Sequence, residues 1–163
     1  MKTCMYFVLL MMSVALIPSL CAASPGVKPS KADIAGQFAI WNAALQTRNA
    51  QKVAALYCEP GGVLIPTVSN KIRTNRAEIA DYFDHFLLLK PSGQIDQSFI
   101  RVLSPESAVR AGIYTFHVTK DGKPEDVRAR YTFLYAKEHG RWCIMEQHSS
   151  AMPESEVGPT SSH

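Results

Sequence analysis

The sequence predicts an α+β domain in which one curved antiparallel sheet wraps a long first helix. Three observations predict it. Ile34, Phe38, Trp41 and Leu45 recur at spacings of four, three and four, which marks one face of an α-helix. After Gly93 the apolar period changes to two through residues 95–103, 108–119, 125–137 and 141–149. Helical segments come first and strands last, an α+β order rather than the strict alternation of a parallel α/β sheet.

The elements follow from local chemistry. Ser30 can cap the first helix, with Asp33 three residues on, as in a capping box. Asn49 can cap a short second helix whose apolar side is Val53, Leu56 and Tyr57, and Glu59-Pro60-Gly61-Gly62 ends it. Val63-Leu64-Ile65-Pro66 reads as a short β segment, turned at Ser69-Asn70 and returning through Lys71-Ile72-Arg73. Pro66 lacks a donor, which suits a strand end or a sheet edge. Thr74 or Asn75 can cap a third helix with Ile79, Phe83, Phe86 and Leu87 as its buried stripe, stopped at Pro91-Ser92-Gly93. The four strands after it are joined at Ser104-Pro105-Glu106-Ser107, Asp121-Gly122-Lys123-Pro124 and His139-Gly140. The last two are short hairpin turns, so an antiparallel meander is expected.

The ends read differently. Lys2, the apolar run from Met5 to Ile17, Pro18 and the small residues Cys21-Ala22-Ala23 form the pattern of a cleavable secretory signal over residues 1–23. The run is short for a membrane span. A retained anchor is the alternative, and Leu20 before Cys21 makes a poor lipidation site. Residues 24–32 form a Pro-, Ser- and Lys-rich leader, 33–154 the domain, and 155–163 a tail. The expected location is periplasmic or secreted.

Composition narrows the function. Lys and Arg number 17 against 14 Asp and Glu, a formal charge of +3. That balance argues against nucleic acid as a partner, and against a membrane once the signal is removed. Cys4 and Cys21 leave with the signal, and Cys58 and Cys143 remain. An oxidising compartment permits a bridge between them, although free buried cysteines are commoner at such apolar positions. No zinc-type His/Cys spacing and no Gly-rich nucleotide loop is present, so neither a metal nor a cofactor is expected.

Several stretches carry a resemblance. They are Leu64-Ile65-Pro66-Thr67-Val68-Ser69-Asn70 with Arg73, Ile79 through Tyr82-Phe83 to Phe86-Leu87, Gly112-Ile113-Tyr114-Thr115-Phe116, Ala129-Arg130-Tyr131-Thr132-Phe133 running to Gly140-Arg141-Trp142, and His148-Ser149-Ser150-Ala151-Met152-Pro153-Glu154. Together they resemble the nuclear-transport-factor-2-like, SnoaL-like superfamily. Within it they are most similar to the association domain of calcium/calmodulin-dependent protein kinase II and its stand-alone bacterial relatives, often labelled SgcJ/EcaC-type oxidoreductases. The resemblance implies a cone-shaped fold with a pocket at its wide end and self-association as a homodimer or higher oligomer. Some superfamily members are enzymes and others bind ligands or partners. The bacterial relatives commonly carry two adjacent histidines before Ser-Ser, and here the first is Gln147. Phe133 falls where the kinase hub has a pocket arginine.

Strand parity ranks the candidate residues. In 125–137, Val127, Ala129, Tyr131, Phe133 and Tyr135 share the face expected to meet helices and pocket, with Arg128 and Arg130 opposite. Arg130 reaches a pocket anion only if a bulge reverses the parity, and otherwise forms a structural ion pair. In the last strand Trp142, Ile144, Glu146 and His148 share a face, which makes Glu146 and His148 the best acid/base pair; the alternative is a polar pair that ties strands together. Tyr82 and Tyr114 can offer hydroxyls to a pocket, as tyrosines do in isomerases of this fold, or can be ordinary core aromatics. Arg73 can reach the pocket mouth, and Trp41 can wall the pocket. An isomerase-type acid needs an aspartate inside the sheet, and Asp96, the aspartate nearest a strand start, reads as solvated. The expectation is a homo-oligomeric association-type domain with a pocket for a small apolar or acidic ligand. The alternative is a SnoaL-like isomerase, cyclase or hydrolase using His148 and Glu146.

Overall fold

A computed structural model describes residues 27–153. The signal segment 1–23, residues 24–26 of the leader, Glu154 and the tail lie outside the described residues. Helix α1 spans Lys31–Gln46, two residues earlier than the domain boundary read from the sequence. Its capping box is formed: Asp33 N–H donates to Ser30 Oγ at 3.1 Å, and the Asp33 carboxylate accepts from the Ser30 backbone at 2.8 Å. Those bonds hold the Asp33 carboxyl below its usual pKa. Helix α2 spans Ala50–Ala54 and α3 spans Arg76–Phe86, capped by Asn49 and Asn75. A 3-10 turn, Leu87–Leu89, follows α3.

The strands are β1 (Val63–Ile65), β2 (Ser92–Ser104), β3 (Ser107–Lys120), β4 (Lys123–Glu138) and β5 (Arg141–Ala151). They form one unclosed sheet in the order β1-β5-β4-β3-β2. β2 to β5 make the expected antiparallel meander, and β1 adds parallel to β5 with Leu64 opposite Gln147. β1 is therefore an edge, where Pro66 at its end costs no ladder bond. Leu64 also bridges Arg73 in both directions at 2.9 Å, which is the return after Ser69-Asn70.

The sheet's inner face packs on α1. Ile34, Phe38, Trp41 and Leu45 are all buried, and Phe38 and Trp41 lie 6.3 and 5.5 Å from Phe133 by ring centroids. Such offset and edge-on pairs add to burial, and nearly every large aromatic of the inner face belongs to this cluster. Gly112 interrupts it for a reason: a Cβ there would sit 1.9 Å from the Gln97 carbonyl, so β2 and β3 could not approach as they do.

Two features depart from the sequence reading. Cys58 and Cys143 are joined in a disulfide. Their approach is set by backbone bonds that dock the end of α2 on β5: Cys58 N–H donates to Ile144 O at 2.9 Å and Ile144 N–H to Leu56 O at 2.8 Å. The carboxylate of Glu138 lies beside the two sulfurs, and in the bridged state those sulfurs are not thiolate ligands. The second departure is a bulge in β5. Leu134 pairs with Glu146 and Tyr135 with Ile144, leaving Met145 as an extra residue.

Candidate functional site

A cavity of about 370 Å³ opens between α1, α3 and the sheet. Its wall is Trp41, Phe83, Phe86, Tyr114 and Phe116 with Tyr82 beside them, and Val118, Lys120, Glu125 and Val127 form the end where β3 turns into β4. Lys120 and Glu125 are exposed, so they mark the mouth. The remaining lining comes from the β1 end (Leu64, Pro66, Thr67, Val68), from Leu89 after α3, from Ala129 of β4 and from Gln147 and Ser149 of β5.

The polar groups of this cavity form two small chains. Tyr57 Oη donates to Gln147 Oε1. Tyr114 Oη donates to Ser149 Oγ at 2.6 Å, and Ser149 Oγ also meets Thr67 Oγ1. Burial pushes the Tyr82 phenol up to about 12, against a partial counter-effect of the nearby Arg73 charge. The Tyr57 and Tyr114 phenols are also raised by burial. All three are therefore neutral at physiological pH, acting as hydrogen-bond groups and not as bases. The Trp41 indole N–H is buried with no acceptor in hydrogen-bond geometry.

Of the residues singled out from the sequence, Trp41, Tyr82 and Tyr114 line the cavity. Arg73 does not line it. Its guanidinium lies 5.8 Å from the Tyr82 ring centroid and donates to Lys71 O at 2.6 Å, so it backs the wall from behind. Arg130 is a correction: β4 carries no bulge on that side, and Arg130 is exposed on the outer face, donating to Ser150 Oγ at 3.2 Å. Glu146 and His148 are a second correction. The extra residue Met145 reverses the parity beyond it, so both side chains are exposed on the outer face, and Gln147 and Ser149 turn inward. Asp96 also lies outside, accepting from Thr115 Oγ1 at 2.8 Å beside Arg128.

Period-two reading does not find Gln147, Ser149, Thr67 or Tyr57. One signal did point at the first of them: Gln147 is the position where the bacterial relatives' first histidine is replaced, and that position faces the cavity.

An unclosed, curved sheet folded over an N-terminal helix, with an aromatic cavity at one end, is a nuclear-transport-factor-2-like, cystatin-like architecture. The chain belongs to the calcium/calmodulin dependent protein kinase II association domain family, whose model matches residues 30–153. It is similar to a structure from Xanthomonas campestris described as such an association domain: 50% identity over 82% of this chain and 95% of that one, with a TM-score of 0.76. It also resembles an ntf2-like protein with a cystatin-like fold from Novosphingobium aromaticivorans, at 11% identity over 77% and 84% of the two chains and a TM-score of 0.64. A structure from the same organism described as a scytalone dehydratase shares 14% identity over 75% and 83%, with a TM-score of 0.66. The last two show the fold alone. No curated protein matches this chain.

Proposed function

We infer that the chain is an extracytoplasmic, self-associating domain that holds a small, uncharged and largely apolar ligand in the aromatic cavity. The observation that carries this is the chemistry of the inner end. Its polar groups are an amide, two hydroxyls and neutral phenols, and the acid/base pair Glu146 and His148 faces away. Among the described lining residues, the charged side chains are Lys120 and Glu125 at the exposed mouth. A buried anion here would lack a counter-charge, whereas a neutral, largely apolar ligand needs none. The same arrangement supports binding over acid/base turnover.

Secretion and self-association belong to the proposal. The N-terminal pattern of Lys2 followed by an apolar run supports export, and the Cys58–Cys143 bridge suits an oxidising compartment. No helix among the described residues is long and apolar enough to cross a membrane. The family's association role supports a homo-oligomer, and the outer sheet face presents Phe99 and Leu103 at 67% and 56% exposure.

Native mass spectrometry of the protein purified from its own compartment tests both parts. The expected spectrum is an oligomer carrying a small-molecule adduct. The adduct should be lost in Val127→Trp, which narrows the mouth, and kept in His148→Ala. A bare monomer would overturn the reading, as would an adduct that depends on His148 and not on the cavity.

A further inference from the structure

A second site lies at the opposite end of α1. Parity puts Arg110 of β3 on the inner face, with 6% of its surface exposed. Its Nε donates to Ser98 Oγ at 2.9 Å and its Nη1 to Ala35 O at 3.0 Å, and the guanidinium sits 5.4 Å from the Phe38 ring centroid. These contacts fix the fork in place but supply no negative charge. Among the described residues no carboxylate forms an ion pair with Arg110, and its Nη2 group carries no hydrogen bond. A buried guanidinium with no counter-charge is costly unless an anion completes it.

The surroundings favour such an anion. Arg110 opens on a hollow between α1 and the β2 edge, lined also by Lys31, Ala35, Ser98, Phe99, Ile100 and Arg101. Every charged residue lining it is cationic. The nearby acid of the first turn of α1, Asp33, is held by the Ser30 backbone and hydroxyl. The first turn of α1 brings its own partial positive charge to the same end. None of these residues lines the aromatic cavity.

We propose that this hollow is an oxyanion site for a carboxylate or phosphate group, with Arg110 as the fixed fork and Lys31 and Arg101 as exposed arms that close on it. A planar guanidinium already oriented by two hydrogen bonds gives up little rotamer freedom on binding. The site is independent of the ligand proposed for the aromatic cavity.

Calorimetric titration of the full chain with inorganic phosphate, at constant ionic strength set with chloride, tests it. Saturable binding is expected. Lys31→Gln combined with Arg101→Gln changes two exposed residues and should leave the fold intact while weakening binding about tenfold. Arg110→Lys should abolish it, since the charge stays and the fork is lost; if that variant fails to fold, the exposed pair alone decides. Val127→Trp should bind phosphate as the unmodified chain does, which separates this site from the cavity. Absence of saturable heat, or equal affinity in the Lys31/Arg101 double variant, would overturn the proposal.

Discussion

β4 and β5 lie side by side, are both strongly patterned, and obey different rules. β4 alternates without a break, so Ala129, Tyr131, Phe133 and Tyr135 all face inward and Arg128 and Arg130 outward. β5 alternates only to Ile144. Past Met145 its inward set becomes Gln147 and Ser149, opposite Phe133 and Tyr131. One inserted residue thus replaces a candidate acid and base with an amide and a hydroxyl at the cavity. Chemistry at the site is decided by the register of a strand as much as by its composition.

Urea denaturation of variants on either side of that bulge tests the difference. Removing the bridge with Cys58→Ser and Cys143→Ser frees β5 from α2 two residues before the bulge, and should cost about 3 kcal/mol in the same measurement. Gln147→Leu leaves the Tyr57 hydroxyl buried without its partner and should cost about 2 kcal/mol.

The tyrosines give a smaller, pH-dependent contrast. The Tyr82 phenol titrates at about 12 in the folded chain against an ordinary value of 10.0, so the folded state binds that proton more tightly. Its contribution is fully present below pH 10 and is lost as pH rises through 12, on the order of 1–2 kcal/mol. Tyr57, Tyr114 and Tyr135 shift in the same direction because they too are buried. Thermal melts across that window, read beside phenolate absorbance, check both size and sign. The smallest effect belongs to the outward pair. His148→Ala and Glu146→Gln should each leave stability within about 0.5 kcal/mol. A loss above about 2 kcal/mol from His148→Ala would mean that β5 is read wrongly beyond its bulge.

Much of the fold was legible because its signals are local. Ser30 with Asp33, Asn49, and the Ile34-Phe38-Trp41-Leu45 stripe depend on neighbours three or four residues away, and the turn at Asp121-Gly122 on adjacent residues. Trp41, Tyr82 and Tyr114 were recognisable as cavity wall because large aromatics on a core-facing stripe have few other places to go. Arg110 was not, since nothing in its alternating strand says whether a charge turned inward will find a partner. The parallel pairing of β1 with β5 joins residues more than eighty positions apart, for which no sequence period exists.

By itself the sequence determined the α+β order, the helix caps, the antiparallel meander and which face of β4 is aromatic, because helix and strand periods are properties of consecutive residues. Only the tertiary structure decided that Cys58 meets Cys143, that Met145 is extra, and that Gln147 and not His148 looks into the cavity. Those outcomes depend on which strand lies alongside and in what register, and pairing is settled by packing between distant parts of the chain.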